Sequence, residues 1–480
     1  MSRLGAVDLE LFVTRGLGDT SYLLASGGEA VLVDPQRDAW RFVAAAKAKG
    51  WRIVRVLETH VHNDYLSGAL EARAATGAEI VAPARGRYEF EHRPADEGDE
   101  IGLGEYTIRA LATPGHTSEH LAWLVAETRA PANPDGTLAP VAAFTGGSLL
   151  VGSVGRTDLL GPALADALTI DQQRTLRRLA ELPDSVRILP THGAGSFCSA
   201  GPVARARTTT IGDEKLHNPT FAGAAADEAT FRDGLLGGLG LVPAYYANMA
   251  ALNRRGPRIL RGYRPPPALG PSAMDSASSA AGGATIVDGR SRSAFAAGHV
   301  RGSLNVELDE SFAAYVGWLV PFGAPLVLVL PEPSEAALEE ATTQLLRIGY
   351  ERVLGWLEGG VEAWAAAGRD LASYEVTTMD AVNAGAEADR VILDVRQPIE
   401  WRDDGAIPGS QRIFVADLPG RLAEIPADRP VTVLCKSGSR ASMAASILDA
   451  AGRDVHLVAR GGATHWTGGF EPPQQPEPAA

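Results

Sequence analysis

Residues 51–65 read WRIVRVLETHVHNDY. The β-branched run IVRVL predicts a buried strand, and the polar residues after Leu57 end it. In the extended segment that follows, His60, His62 and Asp64 alternate, so their side chains project to one side, which suits metal ligation. Two later strand-like runs end the same way. TIRALAT leads into TPGHTSEH, with His116 and His120, and VRILP leads into THG, with His192. Five of the ten histidines therefore lie beside strand ends, a clustering that points to one metal-binding edge.

Outward from this stretch, LELFVT, SYLLA and EAVLVDP are short apolar runs separated by Gly and Asp turn signals, the pattern of a β-meander. Helical periodicity over 38–50 and 66–76, with strands AEIVAP, LAWLVAE and VAAFTGG, completes an α/β unit over 1–263. Residues 264–283, RPPPALGPSAMDSASSAAGG, have no apolar period and read as a linker. Beyond them the chain repeats itself. ATIVDGR parallels RVILDVR, GHVRGS parallels GAIPGS, and GGVEAW parallels GGATHW. Two copies of a small α/β domain with a mostly parallel sheet are expected at 284–375 and 376–470, followed by a disordered tail at 471–480.

In the last copy VTVLC is a strand ending at Cys435, and KSGSR leads straight into the helical pattern ASMAASILDAAG. The nucleophile thus sits at a strand-to-helix turn, where loop N–H groups, the helix N-terminus, Lys436 and Arg440 favour a thiolate. Ser437, Gly438 and Ser439 complete the expected binding loop. The first copy has LPEPSEAALEE there, with Pro331 at the cysteine position and Glu332 and Glu335 reversing the potential, so that copy is expected to be silent.

The DVR, GAIPGS, CKSGSR and GGATHW segments resemble the rhodanese family of sulfurtransferases, which implies a persulfide on Cys435. A cysteine phosphatase needs five residues between Cys and Arg, whereas four separate Cys435 from Arg440. THVHNDYLSG, TPGHTSEH, FTGGSLLVGSVGRTDLL and PTHGAGSFC resemble the metallo-β-lactamase superfamily, an αββα sandwich. More narrowly they are similar to its persulfide dioxygenase branch fused to two rhodanese domains. That resemblance implies oxidation of a glutathione or coenzyme A persulfide by O₂ to sulfite at mononuclear iron, with thiosulfate formed or used at Cys435. The branch's ligands map onto His60, His116 and position 147, where Gly147 replaces a carboxylate. His62 is the expected substitute, giving His60, His62 and His116 as ligands of one Fe(II) per chain, with Zn(II) as the alternative ion. Asp64 and His192 are left for a second shell or second metal. Arg156 either binds a substrate carboxylate or pairs with Asp158. Glyoxalase II-type thioester hydrolysis needs a bridging carboxylate at 147 and a histidine at Tyr65; it remains the rival chemistry, beside a first domain that has lost its metal and only binds a thiol carrier.

The composition agrees with small-molecule chemistry. The 480 residues suffice for several domains, and 58 acidic against 44 basic side chains give a net charge of −14, the wrong sign for nucleic acid or anionic membrane. Two cysteines exclude a disulfide framework, and Cys198, with nothing basic beside it, reads as a packed thiol. No apolar signal segment opens the chain, which reads as cytoplasmic. A homo-oligomer is compatible with the sequence.

Overall fold

The computed structural model describes residues 2–4, 7–129, 136–201, 204–279, 282–332 and 334–471. The chain divides into two compact units, Met1–Arg264 with Leu346–Gly349, and Pro265–Leu345 with Tyr350–Ala480.

The first unit holds two sheets. One runs, in spatial and sequence order, Ser2–Leu4, Val7–Thr14, Asp19–Ser26, Glu29–Val33, Arg52–Leu57, Glu79–Pro83 and Arg93–Ala95. Its first four strands form the expected antiparallel meander, and the last three join in parallel. Parallel neighbours need crossovers, which the helices Trp40–Ala48 and Ala69–Thr76 supply. The second sheet is ordered Thr209–Thr210, Arg187–Pro190, Ala142–Gly146, Leu121–Glu127, Tyr106–Ala112 and Glu100–Leu103. The two-residue side-chain period makes the layers. Tyr22 and Leu24 point inward to meet Ile108, Trp123 and Phe144, whereas Leu23 and Ala25 point outward to meet Phe42 and Leu70. On the far side Leu124 and Ile188 pack against Leu176 and Leu179 of the helix Pro162–Leu179. Helices thus cover the outer face of each sheet, the αββα order.

The second unit contains the repeat. One sheet is ordered Ala268–Leu269, Val353–Leu357, Leu326–Val329, Thr285–Asp288, Leu304–Asn305, and the other Glu375–Thr378, Val455–Arg460, Val431–Leu434, Val391–Asp394, Gln411–Arg412. All pairings in both are parallel. The copies also share a buried clasp. Arg290 is forked onto Asp288 and reaches the Gly298 carbonyl, as Arg396 is forked onto Asp394 and reaches that of Gly405.

This topology corrects the expected linker at 264–283. Ala268–Leu269 is the first strand of the first copy, equivalent to Glu375–Thr378, and the helix Pro271–Ser279 buries Met274 completely. Two residues are too few to show a strand period, and the pairing comes from a partner nearly ninety residues on, so composition alone suggested a linker. Of the expected disordered tail, Glu471 is held by Arg412 at 2.8 Å, and 472–480 lie outside the described residues. No helix among the described residues is long and apolar enough to cross a membrane.

Candidate functional site

The first site lies where the strands Glu29–Val33, Arg52–Leu57, Tyr106–Ala112, Ala142–Gly146 and Arg187–Pro190 end. Four deliver a polar residue beyond the strand end, Asp34, His60, His116 and His192, and the strand Ala142–Gly146 delivers Gly147. All four side chains in that set are fully buried. Each imidazole is aimed by its Nδ1. His116 Nδ1 meets the Arg156 carbonyl at 2.7 Å, His192 Nδ1 meets Asp19 Oδ1 at 2.9 Å, and His60 Nδ1 meets Thr59 Oγ1 at 2.8 Å. The Thr59 hydroxyl donates to Asp34 Oδ2 at 2.7 Å and therefore accepts from His60. The Nε2 atoms are left to converge: His60 and His192 face each other at 3.2 Å, and His116 Nε2 is buried without a partner. Imidazoles tied at Nδ1 with Nε2 lone pairs pointing inward are the donor arrangement of a metal site, and the residues present fit a divalent ion.

Among the described residues, three groups have donor atoms close enough to share an ion: His60 with His116 and His192; Asp34 with His60 and His62; and His62 with Asp64 and His192. His192, expected outside the inner set, therefore stands in it. The expected trio of His60, His62 and His116 is not one of these groups. His62 directs Nε2 at Glu58 Oε2, 3.0 Å away, with Asp34 Oδ1 at 3.4 Å and the Tyr65 hydroxyl at 3.0 Å, and only its buried Nδ1 is without a partner. Asp64 lies 3.2 Å from His192 Nδ1, beside Asp19.

Electrostatics follow this geometry. Burial, then the neighbouring imidazoles, hold His60 well below its usual value and bring His116 down to about 3, so both present neutral lone pairs. Burial would lower His192 as well, but Asp64 and Asp19 outweigh it and push it up to about 10. A divalent ion held there would take the place of the proton that His192 otherwise carries. Burial also opposes the charge on His62, and Asp34 and Glu58 override it, holding His62 well above the ordinary imidazole value.

Sequence reading missed Asp34, Asp19 and Glu58, and it placed His120 in the histidine cluster without giving it a role. Asp34 is a hub that accepts from Thr59 N at 2.8 Å, Thr59 Oγ1 and Thr191 Oγ1, and it adopts φ of +47°, a left-handed conformation costly for a non-glycine residue. Its strand-terminal place in VLVDP was the available signal. His120 stacks on His60 with centroids 4.9 Å apart and accepts the Gly147 N–H at 2.9 Å. It also lines a cavity of about 130 Å³ shared with Arg85, Glu97, Ser118 and Glu119.

Gly147 is a steric requirement here. A Cβ at 147 would overlap the His116 ring, lying 2.7 Å from Cγ and 2.8 Å from Nε2, and Gly155 flanks the same ring on its Nδ1 side. The substrate-binding role offered for Arg156 is corrected. Its guanidinium grips Asp158 at 2.6 and 2.7 Å and donates to the Gly240 and Phe197 carbonyls, so it organises a loop. Cys198 is fully buried near the Tyr246 hydroxyl, as a packed thiol should be.

The second site is the Cys435 loop. Cys435 ends the strand Val431–Leu434, and the helix Ser439–Ala450 begins four residues later. The Gly438 N–H donates to Cys435 Sγ at 3.1 Å. Arg440 is committed to Glu400, with Nη2 to Oε1 at 2.9 Å, whereas Lys436 is half-exposed with Nζ 3.7 Å from Asp404. Ser437 is exposed and Ser439 half-buried. In the first copy Glu332 turns outward and accepts the Ser334 N–H at 3.0 Å, with no thiol present.

The αββα unit with its imidazole cluster and the tandem sheets with one cysteine loop define two classes of domain. Residues 14–192 match the metallo-beta-lactamase superfamily, and 273–367 and 378–468 each match the rhodanese-like domain, so the chain carries one metallo-beta-lactamase domain and two rhodanese-like domains. Over 177 residues the chain is 35% identical to the hydroxyacylglutathione hydrolase of Polaromonas sp., covering 36% of this chain and 61% of that protein. It thus spans about three fifths of that relative's length. Among solved structures it is similar to a metallo-beta-lactamase from Staphylococcus aureus, with TM-score 0.64, 27% identity, and coverage of 73% of this chain and 99% of that one. ETHE1 from Myxococcus xanthus matches at TM-score 0.43 and 25% identity, covering 52% of this chain and 98% of that one.

Proposed function

We propose that the first unit oxidises a low-molecular-weight persulfide, of the glutathione or coenzyme A type, to sulfite at one metal ion, and that Cys435 transfers sulfane sulfur to or from thiosulfate. The observation that carries the oxidative half is the donor chemistry. Imidazole Nε2 atoms converge, and position 147 has no room for the carboxylate that would bridge two ions in a two-metal hydrolase. His60, His116 and His192 would hold the ion, with His62 Nδ1 as a further donor. Iron there would supply the redox chemistry with O₂ that zinc lacks. The balanced conversion is RSSH + O₂ + H₂O to RSH + H₂SO₃. In it the chain's own groups would aim the imidazoles, through Arg156 O, Asp19 and Thr59.

At the second site Cys435 Sγ attacks the outer sulfur of thiosulfate. The S–S bond breaks, sulfite leaves with the electron pair, and the persulfide on Cys435 keeps its negative charge. The Gly438 N–H supports that charge, and the half-exposed Lys436 attracts the dianion. Run backwards, the same step consumes the sulfite made at the metal and releases thiosulfate, which is the chemical reason for carrying both centres on one chain.

Protein purified anaerobically and loaded with Fe(II) should consume one O₂ per glutathione persulfide, and the Zn(II) form none. No O₂ uptake, together with anaerobic cleavage of an acyl-glutathione thioester, would replace this reading with the hydrolase chemistry that the Polaromonas relative's name describes. Cys435→Ser should abolish thiocyanate formation from thiosulfate and cyanide while Cys198→Ser keeps most of it; the opposite result removes the sulfurtransferase half.

A further inference from the structure

The rhodanese-like copy without a nucleophile donates a side chain to the one that has it. Arg292 opens the helix Arg292–Ala297 of the first copy. Its backbone N–H donates to Glu307 Oε1 at 2.8 Å, and its Nη2 pairs with Glu307 Oε2, which fixes the direction of the guanidinium. The remaining arm, Nη1, donates to the Ser437 carbonyl at 2.8 Å. That carbonyl belongs to the same peptide unit as the Gly438 N–H, which donates to Cys435 Sγ at 3.1 Å.

A trans peptide is planar, with C=O and N–H pointing in opposite directions. A guanidinium on the Ser437 oxygen therefore aims the Gly438 N–H at the sulfur. It also draws electron density from the amide, which strengthens that N–H as a donor, since hydrogen bonds in series polarise one another and charge-assisted ones are the stronger kind. The approach is close enough to demand glycine. Gly438 has φ of +99°, and a Cβ there would collide with Arg292 Nη1 and lie 3.0 Å from the Ala459 carbonyl. A polar seam holds the two copies at this spacing: Ser446 Oγ accepts the Asn305 N–H at 3.1 Å, Ser442 Oγ bonds Asn305 Oδ1, and His299 meets Asp449 at 3.1 Å.

We propose that Arg292 is a positioning residue for sulfur transfer, acting through the Ser437–Gly438 peptide to stabilise negative charge on Cys435 sulfur. The proposal rests on Cys435 being the sulfur-carrying nucleophile. Because Nη1 and Nη2 of Arg292 are committed to the Ser437 carbonyl and Glu307, its loss should act on turnover rather than on donor binding.

The test uses the full chain with Arg292→Gln, Arg292→Lys and Arg292→Ala. For thiocyanate formation, Arg292→Ala should lower kcat about tenfold and change KM for thiosulfate less than about twofold. Iodoacetamide should alkylate Cys435 several-fold more slowly in Arg292→Ala at fixed pH, with Cys198→Ser as background so that a single thiol is counted. Arg292→Lys should recover more of both rates than the neutral donor in Arg292→Gln. Alkylation within twofold of the parent, or equal rates in the Lys and Gln variants, would overturn the proposal and leave Arg292 as an interdomain clamp. A parent protein that makes no thiocyanate would instead defeat the sulfurtransferase reading, while the alkylation series would still decide the role of Arg292.

Discussion

Gly147→Asp puts back the carboxylate that the persulfide dioxygenase pattern carries at this position, and the structure predicts that it damages the site. The first atom of the new side chain would lie 2.7 Å from His116 Cγ and 2.8 Å from its Nε2. Cβ contacts under 3.0 Å are essentially never observed, so the ring or the backbone must move. The ring cannot retreat freely, because its Nδ1 is tied to the Arg156 carbonyl and Gly155 closes the other side. Nor can the backbone, whose N–H is held by His120 and whose carbonyl accepts from Gly155 at 2.9 Å. Overpacking of this kind costs roughly 1–3 kcal/mol. For a domain of this size that lowers Tm by about 2–4 °C per kcal/mol. Scanning calorimetry of the first unit, with metal per chain by elemental analysis, should show lower Tm and less bound iron in Gly147→Asp. Gly147→Ala, which adds the same Cβ without a carboxylate, should show a similar loss. An aspartate variant with unchanged Tm that binds more iron than the parent would refute the steric argument and make 147 a vacant ligand position.

Asp19→Asn should weaken metal binding roughly 10–100-fold, the usual effect of removing a carboxylate behind a ligating histidine; equilibrium competition with a chelator measures it, and an unchanged affinity would take His192 out of the inner set. The last domain should lose stability in acid through Glu400. Burial raises the Glu400 carboxyl, but the Arg440 hydrogen bonds outweigh this and hold it below its ordinary value of 4.5. A carboxylate lowered by folding contributes stability that is present above pH about 4.5 and is lost as pH falls through the lower folded value. Glu400→Gln should therefore flatten that part of a pH–denaturation profile, and an unaltered acid limb would count against the pair.

The parts of this protein legible in the sequence are those set by local rules. The short apolar runs SYLLA and LAWLVAE predict strands, and both lie in the sandwich with helices outside them. The cysteine loop is a contiguous motif, so its strand-to-helix turn was legible, but the groups that hold it, Arg292 and Glu400, come from remote segments. The metal cluster was only half legible. Histidines announce themselves by type, but which of their nitrogens point inward depends largely on groups remote in sequence: Asp19 orients His192 from 173 positions away, and Asp34, with the nearby Glu58, draws off His62 Nε2. Arg156 was ambiguous for the same reason, since its carbonyl partners come from Phe197 and Gly240. The strand Ala268–Leu269 was hidden because its stability comes entirely from a neighbour.

The helix that begins beside Cys435 also governs how the chain reaches its final form. From Ser439 to Ala450 it buries Arg440 through Ser446 and Leu448 on nearly every side, so it has no face suited to water. One flank belongs to its own sheet and the other to the strand Leu304–Asn305 of the preceding copy. A ribosome delivers this helix after the whole of the earlier copy, so until it emerges that copy waits with an uncovered polar seam. The two repeats should accordingly melt in a single calorimetric transition, and a fragment cut between them should leave each half sticky. Sequence duplication would here have produced two copies that fold as one.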